Sequence, residues 1–302
     1  MFSKLVVTVF VKLQEHISSL TKKKITHQID ISKMNWQRFK SIPVFSVFLL
    51  MGFVYYATLF IFIEDWVGLQ SSAGILNALI FTFMAFLCLF SLFVCVLPDP
   101  GHVPSSYVPD VEVNNQNNGL KKQQCEKCCT YKPPRAHHCR SCRRCVLRMD
   151  HHCLWINNCV GYRNYKAFFI LILFATAASI YSTVMIISSV FHKNRDFGRI
   201  FYLKIFYIVS GAMMIGLSAT LGTLLGWHIY LITHNMTTIE YYEGIGAAWL
   251  ARKSGQSYRH QFDLTTYKNI TSVLGPNMLK WLCPTAISHL KDGTNFPTSH
   301  DS

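Results

Sequence analysis

The stretch from Cys125 to Cys159 packs eight of the chain's eleven cysteines and four of its thirteen histidines into thirty-five residues. The cysteines are Cys125, Cys128, Cys129, Cys139, Cys142, Cys145, Cys153 and Cys159. A segment this short and polar has no apolar core of its own, so its folding energy must come from elsewhere. Cys125, Cys128, His138 and Cys145 are spaced C-x2-C-x9-H-x6-C, and Cys139, Cys142, His152 and Cys159 repeat that spacing fourteen residues on. Each set offers three thiolates and one imidazole, the complement of a closed four-coordinate zinc site with no position open to water. The sets interleave, because Cys139 and Cys142 open the second before Cys145 closes the first. Two structural Zn2+ ions are therefore expected, and removing them should unfold the segment.

The repeat then breaks. Cys153 stands fourteen residues after Cys139, where a third set would open, but its partner position holds Ile156. Cys153 is thus a thiol that the metal count leaves over. It closes the run Asp150-His151-His152-Cys153, in which His152 belongs to the second set and His151 does not. A spare thiol beside a free imidazole, with a carboxylate to orient that imidazole, holds the parts of an activated nucleophile. Cys129 reads as an unliganded bystander, Cys283 as inert or modified, and Cys88 and Cys95 as small packing residues within an apolar stretch.

The chain of 302 residues is 51% hydrophobic and 15% charged, which is apolar for a soluble protein. Four charge-free stretches, 42–63, 75–97, 167–190 and 205–232, are each long enough to cross a bilayer. Basic residues flank these stretches, so the net charge of +14 reads as membrane orientation and contact with anionic head groups, not as nucleic-acid binding. Eleven Lys or Arg between 98 and 166 place that loop in the cytosol, and cysteines in metal spacing suit a reducing compartment. Four spans then put both termini in the cytosol as well. Lys193, Arg195, Arg199 and Lys204 run against this assignment and are outnumbered by the central loop. Gly211, Gly216, Gly222 and Gly226 suggest tight helix packing or tilt in the fourth span. No stretch holds Asp, Glu, Lys or Arg, which disfavours small-molecule transport. The expected fold is an all-α polytopic membrane protein: a cytosolic tail (1–41), two transmembrane helices (42–97), a linker and zinc domain (98–166), two more helices (167–232) and a cytosolic C-terminal region (233–302).

The segment from Cys125 to Cys159, with Asn164 and Phe168 beyond it, resembles the cysteine-rich domain of the DHHC protein S-acyltransferases, or palmitoyltransferases. Asp99-Pro100-Gly101 and Thr237-Thr238-Ile239-Glu240 match two further motifs of that family. Residues 262–275 resemble its aromatic-Asn segment, with Asn269 in place and Thr265 where the family often has Gly. The resemblance runs from about residue 36 to 275. It implies an enzyme that takes a long-chain acyl group from acyl-CoA, typically palmitoyl-CoA, onto Cys153. The enzyme then passes that group to cytosolic cysteines of membrane-associated proteins by a ping-pong route. His151 would be the base and Asp150 its orienting partner. The acyl chain would lie among the four spans with Trp155 at the mouth, and Arg135, Arg140, Arg143 and Arg144 would be available to the CoA phosphates. Asp99-Pro100-Gly101 would shape the loop. The Thr-Thr-x-Glu motif would pack against the catalytic region, with Thr238 capping a helix and Glu240 favouring its dipole. The sequons at Asn235 and Asn269 would face the cytosol unused. By resemblance the compartment is an endomembrane, with the Golgi favoured. A scaffold that docks partners through the zinc knots is the competing reading.

Overall fold

The computed structural model describes residues 34–109, 124–192 and 201–299. The basic tail up to residue 33, the Asn-rich linker 110–123 and the conflicting Lys193, Arg195 and Arg199 lie outside these residues.

Among the described residues, four helices are long and apolar enough to cross a membrane: α1 (Ile42–Trp66), α2 (Ser72–Val96), α3 (Tyr165–His192) and α4 (Phe201–Thr233). The third packs between the second and fourth. Within α1 the turn widens to a π-helix over Thr58–Ile63. There the buried Thr58 hydroxyl bonds Val54 O at 2.7 Å and Ser182 Oγ at 2.7 Å, and a side chain competing for the helix ladder is a common cause of such a bulge. The Ser71 hydroxyl caps α2 by accepting from Gly74 N at 2.8 Å. Position 74 must be glycine, because a Cβ there would lie 1.9 Å from Gly68 O.

Two expectations need correction. The helices outrun their apolar stretches, so α1 includes Glu64 and Asp65, α3 includes Lys166, and α4 includes Lys204. The charges sit at the helix ends, where charge is tolerated best. The glycines of α4 do not mark tight packing. A Cβ at Gly211 would meet Ile186 at 3.6 Å, but Gly216, Gly222 and Gly226 face open space.

The zinc segment is built from three antiparallel hairpins, so the helical description holds for the rest of the described chain. They are β1 (Gln124–Cys125) with β2 (Thr130–Tyr131), β3 (His137–Cys139) with β4 (Arg144–Val146), and β5 (His151–Cys153) with β6 (Asn158–Val160). Their registers repeat every fourteen residues: Cys125 opposes Thr130, Cys139 opposes Arg144, and Cys153 opposes Asn158. Each turn holds one left-handed residue at the same place, Cys129 (φ 54°), Arg143 (φ 53°) and Asn157 (φ 46°). The sequence repeat is therefore a structural repeat of three knuckles, in which the turns of the first two supply the cysteine pairs and the strands of the second and third supply the remaining Cys and His of each set. In the third, Ile156 is buried in an apolar core with Leu92, Val160, Tyr165 and Phe168.

That third knuckle is fastened to the end of α2. A helix end leaves carbonyls without partners. Here Asn158 Nδ2 donates to Cys95 O (2.9 Å) and Pro98 O (3.1 Å), and Arg38 Nη1 donates to Val96 O (3.0 Å) and Pro98 O (3.1 Å). Asn164 bridges the same region, donating to Cys159 O at 2.9 Å and accepting from Gly161 N at 2.9 Å. Asp99 accepts from Gly101 N at 2.8 Å and pairs with Arg144, so Asp99-Pro100-Gly101 shapes the loop.

Among the described residues, two α-helices follow α4: α5 (Thr238–Lys253) and α6 (Thr266–Leu274). Thr265 caps α6 from an extended conformation (φ −142°), so glycine is not needed there. Asn269 is buried. It donates to Thr233 O (2.7 Å) and Asp263 Oδ1 (2.6 Å) and accepts from Leu264 N (3.0 Å), which ties α6 to the end of α4.

Candidate active site and metal centres

The hairpins bring both predicted ligand sets together. Cys125, Cys128, His138 and Cys145 form one cluster and Cys139, Cys142, His152 and Cys159 the other, with all ligand atoms of each set within 4.8 Å of one another. A tetrahedral zinc site with arms of about 2.0–2.3 Å has edges of roughly 3.3–3.8 Å. The separations match. In the first set His138 Nδ1 lies 3.4, 3.2 and 3.9 Å from Cys125, Cys128 and Cys145 Sγ. In the second, His152 Nδ1 lies 3.6, 3.5 and 3.6 Å from Cys139, Cys142 and Cys159 Sγ. Both donor sets fit a closed zinc site.

Cys153 belongs to neither cluster. It begins the third knuckle and is half-buried against the apolar core that Ile156 fills. Leu154 and Trp155 follow it in an exposed turn. His151 lies two residues earlier on β5, and its Nδ1 bonds Asp150 Oδ2 at 2.7 Å. Burial alone would lower the His151 pKa. The Asp150 hydrogen bond and the nearby Cys153 outweigh it and raise the pKa to about 9. Asp150 is fully buried, which by itself would raise its pKa, but His151 and Thr238 N hold it below the usual carboxylate range. The carboxylate accepts from Thr238 N (2.9 Å) and Thr238 Oγ1 (2.9 Å) besides His151. These groups together can hold a proton on His151, beside the Cys153 sulfur.

The Thr-Thr-x-Glu motif does this work with its residues in exchanged roles. Thr237, not Thr238, caps α5, in a capping box with Glu240. Thr238 is thereby freed to aim its N–H and hydroxyl at Asp150. Glu240 reaches back to the zinc segment, where it accepts from Arg135 Nε (2.6 Å) and Nη2 (2.8 Å). The Arg135 guanidinium is buried in the corner formed by the Phe262 and Phe296 rings, 4.4 and 4.9 Å from their centroids, and also donates to Asn235 O at 2.7 Å. Arg135 is thus a structural tie and not a free phosphate contact, and Arg144 is engaged by Asp99. Arg140 and Arg143 remain exposed. Asn235 and Asn269, the two sequon asparagines, are both buried and hydrogen-bonded. Cys88 and Cys95 are buried as packing residues, and Cys129 and Cys283 are exposed outside both clusters.

Two residues near the site escaped the sequence reading. Lys166 was counted among the loop charges, yet it is buried in the first turn of α3. Its Nζ donates to Leu274 O (2.8 Å), Lys280 O (2.8 Å) and Ala286 O (3.0 Å). Its signal was its place at the edge of an apolar stretch. His228 is buried in α4 close to His151. It is the sole histidine in the four apolar stretches, which was signal enough.

A helical multi-pass membrane protein with two Cys3His knots and a base-flanked spare thiol between its second and third spans has the layout of a thiol-based acyl-transfer enzyme. Residues 119–245 match the family model for the DHHC palmitoyltransferases. "Probable protein S-acyltransferase 15" of Arabidopsis thaliana is 65% identical over 254 residues, covering 83% of this chain and 100% of that protein. "Probable protein S-acyltransferase 16" of Arabidopsis thaliana is 49% identical over 272 residues, covering 87% of this chain and 94% of that protein. "Palmitoyltransferase ZDHHC15A" of Danio rerio is 35% identical over 181 residues, covering 58% of this chain and 51% of that protein. The chain belongs to the DHHC palmitoyltransferase family.

Proposed function

We propose that this acyltransferase moves a long-chain acyl group from acyl-CoA, palmitoyl-CoA first among them, to cysteine thiols of substrate proteins through a thioester on Cys153. His151 takes the Cys153 proton, and the thiolate attacks the acyl-CoA carbonyl. The bond from carbonyl carbon to CoA sulfur breaks, and His151 returns the proton to the departing CoA thiolate. In the second half a substrate cysteine gives its proton to His151, attacks the Cys153 thioester, and releases Cys153, which regains the proton. Asp150 keeps His151 oriented and stabilises its protonated form, and Thr238 holds Asp150. Zinc at Cys125, Cys128, His138 and Cys145, and at Cys139, Cys142, His152 and Cys159, would supply folding energy and take no part in the reaction. The acyl chain would lie among α1 to α4, where each buried CH2 contributes about 0.8 kcal/mol. Arg140 and Arg143 would be the exposed cations left for the CoA phosphates.

The observation that carries this reading is that Cys153 stands outside both metal sets with the Asp150-bound His151 beside it. The test is incubation of the purified protein with labelled palmitoyl-CoA. Hydroxylamine-labile label on Cys153, absent from Cys153→Ser, is expected. Label that survives in Cys153→Ser, or none in the parent, refutes it.

We also propose that the zinc segment and both termini (1–41, 98–166 and 233–302) face the cytosol and that the protein resides in the Golgi. The basic loop supports the orientation. Protease access to residues 98–166 in intact sealed vesicles, and imaging of a tagged chain, test the two statements.

A further inference from the structure

The catalytic reading leaves His228 unused. A buried imidazole in a membrane-spanning helix costs free energy that Leu or Phe of similar size would not, unless its polar atoms have a task. One of them does: His228 Nδ1 lies 3.0 Å from the Tyr165 hydroxyl, which ties the start of α3 to α4. The remainder of the ring faces the candidate dyad. His228 is 6.1 Å from His151 between centroids, and Phe168 stands edge-on to both, at 5.1 Å and 5.3 Å. One polar atom each from Asp150, His151 and His228 lies within 4.8 Å of the other two.

His151 needs such neighbours. It sits on a three-residue strand with its side chain 32% exposed. Asp150 holds Nδ1, but a hydrogen bond at that atom leaves the ring plane free to tilt about it. Phe168 and His228 close that freedom from α3 and α4. Of the two, His228 has a hydrogen bond that resists its own rotation. We infer that His228, pinned by Tyr165, is a positioning residue that holds the His151 ring toward Cys153. The inference rests on the acyl-transfer reading above.

The test uses the full-length protein and single-turnover formation of the Cys153 thioester over a range of palmitoyl-CoA concentrations, with zinc content measured alongside. His228→Phe fills the space without the bond, Tyr165→Phe removes the bond from the other side, and His228→Asn can keep an amide where Nδ1 stood. Displacing a reacting group by about 1 Å costs up to roughly 100-fold in rate. His228→Phe and Tyr165→Phe are each expected to slow the maximal rate roughly 10- to 100-fold. The half-saturating palmitoyl-CoA concentration should hold steady and both zinc sites should stay filled. The double variant should be no slower than either single one, because both remove one interaction. His228→Asn should restore most of the rate. A parental rate in His228→Phe or Tyr165→Phe, a change confined to half-saturation, loss of zinc in both, or no rescue by Asn overturns the inference. Label that persists in Cys153→Ser removes the acyl-transfer reading itself. If Cys153→Ser is blank while the His228 and Tyr165 variants react like the parent, the positioning role alone falls.

Discussion

Glu240→Gln removes one charge from the tie between the zinc segment and α5 and leaves the shape in place. Both members of the Arg135–Glu240 pair are buried, with two hydrogen bonds between them. Burial alone would raise the Glu240 pKa. The Arg135 charge and hydrogen bonds, with Thr237 N, outweigh it and hold the pKa at about 2, against an ordinary 4.5. That gap corresponds to about 3 kcal/mol at neutral pH. Removing one partner of a buried pair costs about 3–5 kcal/mol by a separate line of measurement, because the other charge is stranded. The two figures agree, so a loss of about 3 kcal/mol is expected. The sign with pH follows from a folded pKa below the unfolded one. The stabilisation is present in full above about 4.5 and disappears as pH falls toward about 2. Unfolding of the parent and Glu240→Gln in detergent should therefore differ by a constant amount from pH 8 to 5, in the range of roughly 5–10 °C, and converge only below about 4.5. Because the stranded guanidinium is the main cost, Arg135→Met combined with Glu240→Gln should recover more than half of the loss. Acyl-enzyme formation should fall with stability, since the same capping box sets the start of α5, from which Thr238 reaches Asp150. A single variant within about 0.5 kcal/mol of the parent, or a double variant that recovers nothing, would refute the reasoning.

Chelation should remove two zinc ions per chain and open the hairpins, so that proteolysis cuts between residues 124 and 160 and acylation stops; metal analysis and peptide mapping check it. Lys166→Met should strand the carbonyls of Leu274, Lys280 and Ala286 and release the C-terminal segment to protease beyond residue 274, at a cost of about 2–3 kcal/mol. Asp150→Asn should lower the rate of acyl-enzyme formation by roughly 10²- to 10⁴-fold with both zinc sites filled, read in single-turnover labelling. Ile156→Ala should cost about 2–4 kcal/mol of stability, measured by denaturant unfolding, and loosen the knuckle that carries Cys153.

What was legible in the chain was local. The fourteen-residue period picked out the two Cys3His clusters, and its failure at Ile156 set Cys153 apart from them, because both are statements about spacing. The four spans were legible because apolar length alone decides them. What was not legible depends on partners far along the chain. Arg135 looked like one more basic residue of a cytosolic loop, and its carboxylate lies more than a hundred residues later at Glu240. Lys166 looked like a loop cation because its acceptors are carbonyls, which every residue has. Thr237 and Thr238 are adjacent and chemically alike, so only the helix start decides which one caps α5 and which one is left for Asp150. The glycines of α4 left packing or tilt open for the same reason: glycine permits close approach, and only the neighbour decides whether approach occurs.

The third knuckle shows why the zinc segment sits between two spans. In the first two knuckles a metal ion can hold a strained turn shut, since Cys129 and Arg143 are both left-handed without being glycine. The third keeps the same left-handed turn at Asn157, and its strands give His152 and Cys159 to the second set, but the turn itself has no pair of cysteines, because Ile156 stands where the second would be. The turn is closed by the membrane helices: Ile156 is buried against α2 and α3, and Asn158 is bonded to the end of α2. Asp150, just before the strand, is held by the start of α5. A zinc ion in this place would bind the sulfur and end its chemistry, because a coordinated thiolate is not free to attack. Replacing the metal by helices keeps the geometry and frees the thiol. The cost is dependence on the spans: an excised zinc segment should keep both metal sites, with His152 and Cys159 held on the third hairpin, and lose the order of the turn from Cys153 to Asn157. Amide exchange on residues 124–164 prepared alone, compared with the full chain, separates the two. Protection of residues 153–157 in the excised segment equal to that in the whole protein would mean the spans are not what holds the turn that carries Cys153.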